Sequence, residues 1–193
     1  NRGWARDYSS NVITSFFHYH SQMLGFHTGL VEKHSYQANP WSWLVMGRPT
    51  SFYYQSPKDC GADNCAQEVL ALGTPFLWWS AVFAVAITIG FFITTKDRKA
   101  AIILLGFAAT YLPWFLIQER TTFYFYAIST LPFLILAIIY CFNLLLESEK
   151  NKKYIKIYVA LVAINFLYFL PIYLGISIPY SEWLNRMWLE SWI

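Results

Sequence analysis

Charged side chains are scarce in this chain: Asp, Glu, Lys and Arg make up 13% of its 193 residues, and the net charge is only +3. A charge that small, gathered in short loops, excludes a nucleic-acid surface. A secretory leader is also missing, since Asn1 does not open a charged stretch followed by an apolar run and a small-residue cleavage site, and the chain reads as a piece of a longer protein. Cysteine is rare as well. Of three cysteines, Cys141 lies within an apolar run, and only Cys60 and Cys65, on either side of a short polar loop, are placed to pair. Gly61 and Asn64 let that loop turn tightly enough, so an oxidising compartment would join the two sulfurs. A metal there lacks suitable company, because Asp59 and Asp63 are hard oxygen donors poorly matched to thiolates.

What the chain does hold is apolar: 56% of residues are hydrophobic and 20% aromatic, arranged in long blocks, which is the composition of a membrane protein. Residues 73–95, 100–117, 123–146 and 154–174 each approach the roughly 20 residues that one crossing requires. Lys96, Arg98 and Lys99 occupy the first connection, Arg120 alone the second, and Lys150, Lys152 and Lys153 the third. Basic residues favour the cytoplasmic side. The expected architecture is therefore an all-α, polytopic membrane protein. An extracytoplasmic loop, residues 1–72, precedes the four transmembrane helices, and both ends lie on the side that carries Arg120.

Two further helices are expected at the membrane surface. Val12, Phe16, Tyr19, Met23, Phe26 and Leu30 recur at spacings of four and three, which predicts an amphipathic helix over about 11–30. Too polar to span, it would lie along the lipid boundary or pack its aromatic face on the rest of the protein. His20, His27 and His34 are spaced by seven and raise the question of a metal. Ligands two turns apart do not converge on one ion unaided, and no acid or thiol is interleaved, so these histidines are assigned to the flanks of that face. In the tail, residues 176–193, Leu184, Trp188 and Trp192 stand four apart behind Ser181 as a candidate cap, predicting a second interfacial helix.

The stretch 113–126 carries the chemistry. It joins two apolar segments through a short polar turn holding Glu119 and Arg120. At headgroup depth an arginine meets phosphate with bidentate geometry, at far lower cost than at the bilayer centre. A second reading has Glu119 and Arg120 only pairing with each other and anchoring the turn. Pro113, Pro132 and Pro171 kink helices or free carbonyls, and the first two predict a cavity beneath the turn. Upstream, Trp41, Trp43, Phe52, Tyr53 and Tyr54 offer flat faces beside Arg48, Asn39 and Gln37. That set suits sugars or an extended peptide, and suits an aromatic belt equally well.

Several stretches resemble one family: His34-Ser-Tyr-Gln-Ala-Asn-Pro-Trp-Ser-Trp43, Gly47-Arg-Pro49 with Phe52-Tyr-Tyr54, Leu70-Ala-Leu-Gly-Thr-Pro75 with Trp78-Trp79, and Pro113-Trp-Phe with Arg120-Thr-Thr-Phe-Tyr-Phe-Tyr126. Together they resemble the C-terminal multi-span portion of protein O-mannosyltransferases in their actinobacterial form. The resemblance implies a GT-C-like fold and transfer of mannose, with inversion, from a polyprenyl-phosphate carrier to Ser or Thr of exported proteins. It places the chain in the plasma membrane, in contact with the lipid-linked donor, the acceptor polypeptide, the bilayer and the N-terminal remainder of the same enzyme. The family's general base is expected in a first extracytoplasmic loop that no segment here matches, so no catalytic residue is assigned in this chain. Nor is there the short-strand pattern of the β-trefoil that animal and fungal members carry. Arg120 is implied as the donor-phosphate residue, with Arg48 as a weaker second. His34, Trp41, Trp43, Glu119, Tyr124 and Tyr126 are candidates to line the sugar or acceptor side, with at most one of the two tyrosines facing the pocket. No cofactor is called for, and no carboxylate cluster requires a divalent cation. Two other readings stand beside this one: a non-enzymatic membrane subunit or transporter fragment, and a GT-C enzyme that glycosylates a lipid.

Overall fold

The computed structural model describes residues 11–145 and 152–193. The expected interfacial loop at 1–10, and all of the third connection except Lys152 and Lys153, lie outside the described residues. In chain order the elements are α1 (Val12–Thr28), α2 (Pro40–Trp43), β1 (Thr50–Gln55), β2 (Cys65–Ala71), α3 (Pro75–Thr95), α4 (Arg98–Tyr111), a 3₁₀ stretch (Leu112–Ile117), a second (Tyr124–Thr130), α5 (Leu131–Leu145), α6 (Lys152–Leu174), β3 (Ile178–Pro179), α7 (Tyr180–Leu184) and a last 3₁₀ turn (Glu190–Trp192). Four helical stretches are long and apolar enough to cross a membrane: Pro75–Thr95, Arg98–Ile117, Tyr124–Leu145 and Lys152–Leu174.

Local chemistry sets where these spans start and stop. Pro75 fits the first turn of α3, where an amide hydrogen would lack a partner anyway. Lys96 ends that helix in the left-handed region, its N–H donating to Phe92 O, and Asp97 then caps α4 by accepting from Lys99 N at 3.1 Å. Pro113 supplies no amide hydrogen, so α4 gives way to a 3₁₀ stretch after Tyr111. Pro132 lies in the first turn of α5, inside the third span and next to its junction with the preceding 3₁₀ stretch. The third proline, Pro171, is inside α6.

The helices pack through small residues. Ala81, Ala84 and Thr88 of α3 are buried, as are Leu134, Ala137 and Ile138 of α5, and the two helices lie against each other. Between the second and third spans the approach is closer still, since a Cβ placed on Gly106 would come within 2.0 Å of the Phe133 ring. Phe83, Ile102 and Leu105 point outward, as lipid-facing side chains do.

The polar elements gather at one end of the spans. The Tyr124 hydroxyl accepts from Gly73 N, joining the start of the third span to that of the first. Gln67 Nε2 donates to Gly175 O at 2.7 Å, which brings the end of the fourth span to the same place. Here the segments read as irregular loop hold a small antiparallel sheet of order β1-β2-β3, an addition to an otherwise helical chain. Thr50 faces Ala71 and Gln55 faces Gln67, with a bulge between Ser51 and Tyr53. The hairpin loop is closed by a disulfide between Cys60 and Cys65, whose Cα atoms are 5.9 Å apart. The physical reason for strands is visible in β2, where Ala66, Glu68 and Leu70 form one buried face.

The tail differs from the expected single helix. Ile178 and Pro179 pair with β2, five residues of α7 follow Pro179 with no capping by Ser181, and only a 3₁₀ turn comes after. Leu184 and Trp188 are exposed while Trp192 is buried, so spacing by four does not place them on one face. Strand pairing and two indole hydrogen bonds, Trp183 to Glu68 and Trp192 to Met46 O, hold the tail against the sheet and override helical periodicity. α1 is capped by Asn11, whose side chain accepts from Ile13 N, and it buries none of its residues; its apolar side chains, Phe16 and Phe26 among them, stay open.

Candidate functional site

The turn between the second and third spans is fixed before any charge is considered. Thr121 N donates to Leu30 O at 2.9 Å, and its hydroxyl donates to Glu32 O. One residue on, Ala38 N donates to Thr122 O and the buried Thr122 hydroxyl donates to Ala38 O, both at 2.8 Å. Asn39 Nδ2 adds a bond to Gln118 Oε1 at 3.3 Å. The segment leaving α1 thus forms a strap along the turn, satisfying backbone groups that a bare turn would leave to water.

On this base the stretch builds a platform. The rings of Trp114 and Tyr126 stack with centroids 5.0 Å apart at 15°. The Arg120 guanidinium carbon lies 5.5 Å from the Tyr126 centroid and 5.9 Å from that of Trp114, within reach of the negative ring faces. Its Nη2 donates to His27 Nδ1 at 3.4 Å, and its Nε is buried without a partner. Among the described residues no ion pair joins it to Glu119, which is exposed, so the two do not form the self-contained pair that was the other reading of the turn. Thr28, Phe115, Gln118, Glu119 and Arg120 border a hollow of about 350 Å³. A half-buried guanidinium that forms no ion pair among the described residues, on an aromatic bed and at the rim of a hollow that it shares with Glu119, is suited to a phosphate.

The remaining candidates separate. Trp43 is fully buried, donates from Nε1 to Ala38 O at 3.0 Å and meets Trp114 edge-on, so it supports the platform and lines nothing. Arg48 lies over the Tyr36 ring and spends Nη1 on Ser191 O and Ile193 O, at 2.6 and 2.8 Å. It braces the tail. Tyr124 is buried with its hydroxyl engaged by Gly73, and lines a second, apolar hollow of about 340 Å³ with Leu72, Trp78, Ile128 and Tyr173. Of the two tyrosines, Tyr126 is the one at Arg120. His34 accepts from Tyr36 N and packs on Phe123, while Trp41 is 67% exposed.

His20 bonds within its own helix and His27 bonds to Arg120, so the histidine series does not converge. Among the described residues no three His, Cys, Asp or Glu side chains come together as metal ligands would. Two partnerships were missed in the sequence: that of His27, assigned there to the flank of an interfacial face, and that of Glu68. The Glu68 carboxylate is 3% exposed, accepts from Trp183 Nε1 at 2.6 Å, and burial pushes its pKa above the ordinary 4.5. The sequence did hold a signal for Glu68, an acid at the centre of the alternation Ala66, Glu68, Leu70. For His27 there was none, because its partner is 93 residues away.

With this geometry in hand, comparisons with known proteins are specific. The C-terminal four-transmembrane region of protein O-mannosyltransferase, as a family, matches residues 12–99 and 93–192. Polyprenol-phosphate-mannose–protein mannosyltransferase of Mycobacterium tuberculosis is 31% identical over 196 residues, which cover 94% of this chain and 38% of that protein. Its counterpart in Corynebacterium glutamicum is 30% identical over 193 residues, covering 93% of this chain and 37% of its own length. The chain therefore spans less than two fifths of these curated relatives. In shape it matches the Saccharomyces cerevisiae protein O-mannosyltransferase Pmt1-Pmt2 complex bound to the sugar donor, with a TM-score of 0.76 over 96% of this chain and 28% of that one; the 24% identity supports likeness of fold alone.

Proposed function

The chain belongs to the family of C-terminal four-transmembrane regions of protein O-mannosyltransferases, and from that premise we propose that it is the donor-phosphate half of a membrane enzyme moving mannose from polyprenyl-phosphate mannose to Ser or Thr of exported proteins. It is a multi-pass membrane protein. The orientation that puts Lys96, Arg98 and Lys99 in the cytoplasm sets the Arg120 turn, the sheet and the tail on the outer side of the plasma membrane. The disulfide at Cys60 and Cys65 supports that orientation, since such bonds persist on oxidising sides.

In the proposed reaction the acceptor hydroxyl oxygen attacks the anomeric carbon, the bond from that carbon to the phosphate oxygen breaks, and the configuration inverts. A carboxylate outside these residues, in the N-terminal remainder of the enzyme, takes the hydroxyl proton. The departing lipid phosphate gains charge, and stabilising that charge is the part this chain performs. One observation carries the reading: the Arg120 guanidinium has a single hydrogen-bond partner and no ion pair among the described residues, leaving Nη1 to a phosphate at the hollow's rim. The apolar hollow around Tyr124 offers the first isoprene units a surface at the same end of the spans.

Replacing Arg120 by Ala in the complete enzyme tests this. Mannose transfer from polyprenyl-phosphate mannose should fall by about 100-fold or more in kcat/KM, the scale of losing one preorganised donor to a developing anion. Unchanged donor use would sink the assignment.

A further inference from the structure

α1 buries none of its residues, yet its last turn reaches the candidate site, where His27 Nδ1 meets Arg120 Nη2 at 3.4 Å. We propose that His27 is a positioning residue for the transfer, setting the angle at which Arg120 presents its fork to the lipid phosphate. This rests on the donor-phosphate reading of Arg120.

The direction of the hydrogen bond is determined by chemistry. A guanidinium only donates, so His27 accepts at Nδ1 and carries its hydrogen on Nε2. The two contacts that Arg120 makes then divide the work. Tyr126 and Trp114 attract the cation through their faces, an attraction that constrains the guanidinium's height over the rings and leaves it free to swivel in its own plane. A hydrogen bond at Nη2 constrains that swivel. Nη2 has two hydrogens, so one remains beside Nη1 to complete a bidentate grip on phosphate oxygens. The strap from Leu30 to Ala38, bonded to Thr121 and Thr122, fixes the end of α1 relative to the turn and so keeps the imidazole within reach. A phosphate loses geometric fit, not charge attraction, when the swivel is released, and this predicts a modest effect confined to the donor.

The test uses the complete enzyme with polyprenyl-phosphate mannose and an acceptor peptide. His27→Ala should raise the donor KM about fivefold, the scale of one hydrogen bond, and leave the acceptor KM unchanged. His27→Asn, whose amide oxygen stands close to where Nδ1 stood, should return the donor KM to within about twofold of the parent. His27→Phe keeps a flat ring and has no acceptor, so it should match Ala. Equal rescue by Phe and Asn would show that the ring packs and does not aim, and would overturn the inference. So would a rise in acceptor KM alongside the donor KM, the mark of a displaced strap. If Arg120→Ala abolishes donor use while His27→Ala behaves like the parent, the phosphate reading survives and the role of His27 does not; if Arg120→Ala is harmless, both fail.

Discussion

The surroundings of Arg48 and of Arg120 lie at the same end of the spans and use the same opening move, a guanidinium laid over an aromatic ring. They differ in where the hydrogens go. Arg48 directs Nη1 at two tail carbonyls and Nε at Ser35 O, so its charge knits residues 35, 48, 191 and 193 into one unit. Arg120 gives one hydrogen to an imidazole and has a buried Nε with no taker. The tail that Arg48 braces makes other closed contacts: Trp192 Nε1 on Met46 O, and Trp183 Nε1 on Glu68. The comparison teaches that residue type and family resemblance, which made both arginines phosphate candidates, do not separate a guanidinium spent on carbonyls from one with donors to spare.

The comparison can be broken most forcefully at its closed side. Arg48→Ala should cost about 2–3 kcal/mol of stability, the worth of two or three hydrogen bonds to carbonyls with the tail released, and leave the donor KM as it was; thermal unfolding in detergent with a parallel transfer assay reads both. Opening the hairpin loop by replacing Cys60 and Cys65 with Ser should cost about 2 kcal/mol, the chain-entropy value for so short a ring, again with little change in donor affinity. On the open side, Arg120→Lys keeps a cation and loses the fork, and should lower kcat/KM for the donor by about tenfold with unfolding unmoved. The finest distinction is one of pH. The raised pKa of Glu68 means the folded state holds that proton more tightly than the unfolded chain, so stability is full below pH 4.5 and is lost as pH rises through the raised value. Glu68→Gln removes the titration and should flatten that decline, leaving an advantage over the parent that grows with pH and is the smallest of the four effects.

The spans were legible because hydropathy and length alone determine them. The sheet was hidden: β1 is a six-residue run, Thr50–Gln55, among aromatics that suit a membrane belt equally well, and nothing before its pairing with β2 distinguishes the two. Trp43 shows the same ambiguity from the other side, since a belt tryptophan and a core tryptophan are the same letter until packing sorts them. The tail was misread because a spacing of four at Leu184, Trp188 and Trp192 satisfied a helix rule, while the pairing of Cys65 and Ala66 with Pro179 and Ile178 comes from over 110 residues upstream. The turn that holds Arg120 was legible by its place between two apolar runs. Its aromatic bed was half legible, through Tyr126, and its hydrogen-bond partner was not.

Gly106 stands at the middle of its crossing, and its missing methyl group is what lets Phe133 of α5 settle against α4. From there the chain continues as α-helix to Tyr111 and then as the 3₁₀ stretch Leu112–Ile117 to the polar turn. The seating of the second span against the third therefore depends on a missing methyl group in the apolar interior, and a bulkier residue there would act as a wedge between the two helices that carry the turn.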